Sequence, residues 1–221
     1  MVQSIVVVGG GSAGWITANL LNAHCQRAGR KTQITLVESP DVPTIGVGEA
    51  TVPTIRRTLN DIGLPERDLL TSAEATFKTL IRFKDWNLGE SYDHPFDRRR
   101  RPQTDSIVDR WTAQNNLPFD QSFSALSQLA DHNIAPKSPR HPQYQGSFPY
   151  AYHLDAIKLA NRLAAFGSER GIVHTLANVT DVTVSSEGLI ESVQTDRGDT
   201  LTADLYVDCT GFRSALLGGA L

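Results

Sequence analysis

Ile5-Val6-Val7-Val8-Gly9-Gly10-Gly11-Ser12-Ala13-Gly14-Trp15 is an apolar, β-branched run that breaks into glycines at 9, 11 and 14 and then into a helical pattern. That order predicts a strand, a tight turn and a helix over about residues 12–28. The spacing has a mechanical reason: Gly9 permits the turn off the strand, Gly11 lets the backbone approach a pyrophosphate, and Gly14 lets the helix pack closely on the strand. The helix N-terminus then offers free N–H groups and a positive dipole end to the phosphates. A second strand over 33–37 follows and ends in Glu38, an acid placed where such units bind a ribose hydroxyl. Glycines alone would also suit a purely structural turn. The sequence strand, glycines, helix, strand, acid argues instead for a nucleotide-binding βαβ unit.

The 221 residues, 40% hydrophobic and 20% charged, suffice for one sizeable core or one domain plus a lobe. A net charge of -3 gives no electrostatic reason to expect nucleic acid or an anionic membrane as partner. The apolar stretches have strand length, and no basic-then-apolar leader precedes the first strand, so the expectation is a cytoplasmic protein with no membrane span. Cys25 and Cys209 are the only cysteines and fit a reducing compartment. No histidine, cysteine or carboxylate set has metal-ligand spacing, and no Gly-x-Ser-x-Gly elbow is present.

After the first unit, residues 39–53 form a Pro- and Gly-punctuated loop, and residues 54–81 have a helical pattern broken at Gly63 to Pro65. Residues 87–149 are rich in Pro, Asp, Arg, Gln and Ser and have little periodicity outside one helix near 119–132. A helix over 155–171, a strand over 172–176, a hairpin or three-strand meander over 181–196 and a strand over 203–208 complete the chain. The last strand enters Cys209-Thr210-Gly211, which can return to the edge of the nucleotide site. The expected organisation is a discontinuous core of residues 1–86 and 150–221 with an inserted lobe at 87–149.

Four blocks in this order closely resemble the flavin-dependent tryptophan halogenases: Gly9 to Trp15, Pro43 to Pro53 (Pro-Thr-Ile-Gly-Val-Gly-Glu-Ala-Thr-Val-Pro), Tyr150 to Ala156, and Asp204 to Arg213. The resemblance is thin between 87 and 149, where members of that family differ in their substrate loops. It implies an α/β, Rossmann-like FAD-binding domain of the flavoprotein hydroxylase type, with an inserted, irregular and helical substrate region. It implies FAD rather than NAD, held by Gly9, Gly10, Gly11, Ser12, Ala13, Gly14, Glu38, Ser39, Ile45, Val47, Gly48, Glu49, Ala50, Val179, Asp208, Thr210 and Gly211. Gly46 to Ala50 would be the strap that touches flavin and halogenation site. The segment Phe77 to Phe83, expected to end a helix, places the family's essential lysine on Lys78, and His94 and Phe96 fall where relatives contact substrate.

The implied activity is production of hypohalous acid from reduced FAD, O2 and a halide co-substrate, and its use on an electron-rich aromatic such as an indole or tryptophan. A separate flavin reductase would supply the reduced FAD. The alternatives are a flavin-dependent aromatic monooxygenase and a non-catalytic flavin-binding module. Lys suits the directing role because a desolvated ammonium loses its proton readily and becomes nucleophilic. Each candidate has a plainer explanation: Lys78 as a surface lysine, Glu49 as a turn residue, Asp208 and Thr210 as a strand end, His153 as a core or capping histidine, and Arg98 to Arg101 as a solvated loop. Relatives also continue past the last block, with a tryptophan-containing screen, a glutamate that works with the lysine and a halide-holding loop. None of these follows within the 221 residues, so the chain alone is expected to be inactive, as a fragment, as half of a split enzyme or as a cut-down binder. Substrate identity, regioselectivity, choice of halide and oligomeric state, with a homodimer as one alternative, stay open.

Overall fold

The computed structural model describes residues 2–43, 47–97, 109, 111–113 and 117–220. In chain order the elements are β1 Ser4–Val8, α1 Ser12–Arg27, β2 Gln33–Glu38, β3 Gly48–Ala50, α2 Thr54–Ile62, α3 Glu66–Ser72, β4 Thr76–Lys78, β5 Leu80–Asn87 and β6 Glu90–Pro95. They continue with α4 Leu126–Asp131, β7 Ala151–Asp155, α5 Ala156–Glu169, β8 Val173–Leu176, β9 Val179–Val184, β10 Ile190–Thr195, β11 Thr200–Leu201, β12 Leu205–Asp208 and α6 Leu217–Ala220. Two compact units result: Met1–Glu49 with Thr58–Ala75 and Leu154–Leu221, and Ala50–Arg57 with Thr76–His153.

The first unit is built on a parallel sheet in the order β12-β1-β2-β8. Its central strand explains the apolar run: a parallel strand is covered on both faces, and Ile5, Val6, Val7 and Val8 are all buried. Val6, Val8 and Val37 pack with Val193 of an antiparallel β11-β10-β9 meander and with Leu216. Alternation along β1 turns Ile5 and Val7 to the other face. There α1 packs on α5, where the amide of Asn19, 2% exposed, donates to the carbonyls of Trp15 at 2.9 Å and Leu163 at 3.0 Å. The start of α5 is fixed by Asp155, whose carboxylate accepts the Lys158 N–H at 2.9 Å as an N-cap. Among the described residues no helix is long and apolar enough to cross a membrane.

The second unit corrects the expected helix through Lys78. Thr76–Lys78 is a strand, paired antiparallel with β7 (Phe77 opposite Tyr152, Lys78 opposite Ala151), and β5 and β6 form an antiparallel hairpin where irregular chain was expected to begin. Phe77, Leu80 and Ile81 do fall at helical spacing. Thr76, Phe77, Thr79, Ile81, Phe83 and Trp86 also carry β-branched and aromatic side chains, and in so short an apolar run the strand partners decide. The helix expected over 119–132 is a 3-10 turn at Asp120–Ser122 followed by the shorter α4.

Arg82 holds the hairpin. Its guanidinium donates to both oxygens of Asp93 across the two strands at 2.7 Å and to Asp131 of α4 at 2.8 Å. The Arg82 hydrogen bond is the main reason the Asp93 carboxyl titrates below its ordinary value. A depressed carboxylate contributes stability that is complete above the unfolded pKa, roughly 4, and is lost as pH falls through the folded value. Arg82→Met should therefore lower unfolding free energy by about 1–2 kcal/mol near pH 7, a figure kept small because Arg82 is 38% exposed. In chemical denaturation the gap between the two proteins should shrink as pH is lowered below 4. An unchanged gap across that range would assign the loss to packing.

Candidate functional site

The carboxyl ends of β1, β2 and β12 meet at a cleft of about 530 Å³. Its floor is the glycine turn. Gly9 has φ +120°, and a Cβ there would lie 2.3 Å from the Cys209 carbonyl oxygen, so the first glycine is demanded by the fold. Gly14 does not line the cleft; it faces Gly9, whose carbonyl oxygen would be 1.8 Å from an added Cβ, and it sets how closely α1 lies on β1. Gly11 is different. Its backbone is extended, with φ -73° and ψ -176°, and a Cβ built on it meets nothing within 4 Å. The fold does not require glycine at 11, and the space a Cβ would take there is open beside the cleft. As the N-cap of α1, Gly11 also brings no side chain to occupy the N–H groups of the first helical turn.

Of the residues expected to hold the cofactor, Gly9, Gly10, Gly11, Ser12, Ala13, Glu38, Ser39, Val47, Glu49, Val179, Thr210 and Gly211 line this cleft. Ile45 lies outside the described residues. Gly14, Gly48, Ala50 and Asp208 are not on the cleft wall. Asp208 stands behind it as an organiser: one carboxylate oxygen accepts from the Thr210 N–H at 2.9 Å and hydroxyl at 2.6 Å, the other from the N–H groups of Leu216 at 2.9 Å and Leu217 at 3.1 Å. Burial pushes its carboxyl up, and these four donors outweigh burial and hold it below the ordinary range.

The wall also contains residues that the sequence did not assign to the cofactor. Asn178, in the short link between β8 and β9, accepts from the Ser39 hydroxyl at 2.5 Å and donates to Asp41 at 2.5 Å and Asp196 at 2.9 Å, fastening the loop after β2 to the meander. Arg213, in the 3-10 turn after Gly211, adds a guanidinium to a wall that otherwise carries Glu38 and Glu49. Cys209 also lines the cleft; burial pushes its thiol up, so it stays protonated. The pairing of β12 with β1 brings Cys209 and Arg213 to the first turn, and the pairing of β8 with β2 brings Asn178.

The second unit holds Lys78, 8% exposed on β4. Its ammonium donates to the Thr51 carbonyl at 3.0 Å and stands 5.4 Å from the Phe96 ring centroid. Thr51 is itself fixed, since its hydroxyl donates to the Tyr152 carbonyl at 2.9 Å and accepts the Tyr152 N–H at 3.0 Å. Burial pulls the Lys78 pKa below its ordinary value. Burial, with the Lys78 charge adding to it, does the same to His153. Phe77 turns to the opposite side of the strand, edge-on to Tyr150 at 5.2 Å. Phe96, set by its N–H to the Thr79 carbonyl at 3.0 Å, is thus brought to Lys78, while His94 is exposed on β6 opposite Ile81.

A three-glycine turn at the carboxyl edge of a parallel sheet, with an acid after the second strand and a cleft between them, defines a dinucleotide-binding fold of the flavoprotein type. The tryptophan halogenase family model matches residues 4–221, and the chain belongs to that family. It is 35% identical to a tryptophan 6-halogenase of Streptomyces toxytricini over 99% of this chain and 46% of that protein. It superimposes with TM-score 0.88 and 35% identity on the crystal structure of a tryptophan halogenase from Shewanella frigidimarina, covering 99% of this chain and 44% of that one. A flavin-dependent halogenase from Brevundimonas gives TM-score 0.81 and 33% identity, again over 99% of this chain and 44% of that one. The chain thus spans slightly under half the length of the relatives it matches.

The two glycines separate folding from binding. Gly14→Ala drives a Cβ into a backbone oxygen and should lower stability by about 3 kcal/mol or more. Gly11→Ala should leave the melting curve within about 1 kcal/mol of wild type. It should nevertheless weaken FAD binding by about tenfold or more, because a displaced pyrophosphate loses its charge-assisted hydrogen bonds to the turn. FAD titration and thermal unfolding of both variants measure this, and tight FAD binding by Gly11→Ala would remove the cleft's assignment.

Proposed function

We propose that this chain binds FAD in the cleft and contributes Lys78 to a flavin-dependent halogenase that acts on an electron-rich aromatic such as an indole or tryptophan. The observation that carries the reading is the Lys78 ammonium. In a chain of this family it is buried, donates to the Thr51 carbonyl and is set beside an aromatic ring, a placement that disfavours the charged form.

The residues fit the cofactor. Gly9 to Ala13 would take the pyrophosphate on backbone N–H groups, Glu38 would accept from the adenosine ribose hydroxyls, and Val42, Val47 and Val179 supply apolar wall. When bound and reduced, FAD with O2 supplies the oxidation of halide to hypohalous acid. The chain's own work is to deliver that oxidant to one carbon. Lys78 can donate a hydrogen bond to it. Deprotonated, which its burial favours, the amine can instead attack the halogen to give a haloamine and water; the arene then takes the halogen, its ring proton leaves, and the amine is restored. Phe96 offers the aromatic substrate a stacking surface next to this nitrogen. Val47 and Glu49 line the cleft, and two residues further along the chain Thr51 holds Lys78, which supports the strap role of this segment. The reading includes a separate reductase as the source of reduced FAD, and a cytoplasmic working place is in keeping with two free cysteines.

Lys78→Met keeps the stem and removes the nitrogen. In the protein as expressed from its gene it should change stability by no more than about 2 kcal/mol, the loss of one hydrogen bond to Thr51. Halogenated arene should fall by about 100-fold or more with photoreduced FAD, bromide and an indole. Hypohalite should still be trapped by monochlorodimedone. Retention of a single regioisomer at the wild-type rate would exclude the lysine from the chemistry. Oxygenated indole, with no hypohalite trapped from either protein, would replace halogenation by hydroxylation.

A further inference from the structure

β8 lies beside β2 at the edge of the parallel sheet, in a register that sets His174 opposite Leu36 and Leu176 opposite Glu38. Residues two apart on a strand share a face, so His174 and Glu38 are diagonal neighbours on one side of the sheet. There His174 Nε2 lies 2.8 Å from Glu38 Oε2, and because an ionised carboxylate only accepts, the ring N–H donates. The imidazole is fixed from behind: Trp15, 1% exposed, packs edge-on against it with ring centroids 4.9 Å apart. The carboxylate is fixed from below, since its Cδ lies where a Cβ on Gly10 would come within 2.1 Å of it. Glu38 faces the cleft, and Trp15 follows directly on the glycine turn. One wedge of side chains therefore runs from the helix, through His174, to the carboxylate above the turn.

We propose that His174 is a positioning residue for the dinucleotide, holding Glu38 over the glycine turn in the rotamer that receives the ribose hydroxyls. The inference rests on the cleft being an FAD site. A free glutamate has several rotatable bonds to order when ligand arrives, and a side chain locked beforehand by a charge-assisted hydrogen bond avoids that loss. Only one carboxylate oxygen is engaged by the ring, which leaves acceptor positions for the sugar. In Val173-His174-Thr175-Leu176 the histidine reads as an ordinary strand residue; its role arises from the parallel pairing of β2 and β8.

The test is equilibrium titration of the 221-residue chain with FAD, followed by flavin fluorescence, and with ADP as a probe of the adenosine half. His174→Phe keeps a ring against Trp15 and removes the donor. FAD and ADP should each bind about tenfold more weakly to it, the size expected for a lost hydrogen bond to a charged group. His174→Gln, which retains an N–H donor, should stay within about threefold of wild type. In a Glu38→Ala background His174→Phe should add nothing, since its effect passes through that carboxylate. Binding by His174→Phe as tight as wild type, or an equal loss in both backgrounds, overturns the inference and leaves the FAD site standing. Failure of the wild-type chain to bind FAD overturns both. If circular dichroism shows His174→Phe unfolded, His174→Ala against His174→Gln decides: no rescue by glutamine contradicts the proposal.

Discussion

Everything at the nucleotide end depends on how closely α1 approaches β1. Gly14 lies against the Gly9 carbonyl with space for hydrogen and nothing larger, a Cβ there being 1.8 Å from that oxygen. That contact puts the helix N-terminus directly above the end of the strand. The Gly9 N–H then reaches the Val37 carbonyl at 2.8 Å, and the Cys209 N–H reaches the Val8 carbonyl at 2.8 Å, so three parallel strands end at one place. A wider helix would separate Gly11 from Glu38 and Thr210, and the cleft would lose its floor. The close approach is a packing constraint, and the open face of Gly11 is what it leaves for a ligand.

Much of this was legible in the sequence because it is local. The β1 run, the three glycines, α1, β2 and Glu38 follow one another without interruption, and the wall formed by Gly9 to Ala13 with Thr210 and Gly211 sits where their spacing and block order put it. The family, too, was legible from four short blocks. What failed was non-local. Lys78 was expected on a helix, and it is on a strand whose partner, β7, is more than seventy residues away in sequence. Phe77, Leu80 and Ile81 fit both periods, and only pairing with Tyr152 and Ala151 resolves the choice. Asn178 and His174 were invisible for the same reason: each acquires its place from strand order, and neither carries a motif. Asp208 was assigned to the cofactor because it ends a strand in a recognisable block, yet both its oxygens are occupied in folding the turn that follows.

The two clusters solve opposite electrostatic problems. In the cleft the helix end and Arg213 are positive, which suits a pyrophosphate, while Glu38 is held in place by His174. Around Lys78 a positive group is buried with a carbonyl at 3.0 Å and an aromatic face at 5.4 Å, and loss of water pulls its pKa below the ordinary value. On the other side of β4, Phe77, Tyr150 and Tyr152 pack edge-on and tilted against one another.

The central claim is that the open face of Gly11 exists to receive the pyrophosphate of FAD. Selective 15N-glycine labelling followed by heteronuclear correlation spectra during an FAD titration tests it most directly. The account predicts that the amides of Gly10 and Gly11 shift together as FAD saturates the chain, while Gly188 and Gly198, on the turns of the meander, stay where they are. FAD binding that leaves Gly10 and Gly11 unmoved would contradict it.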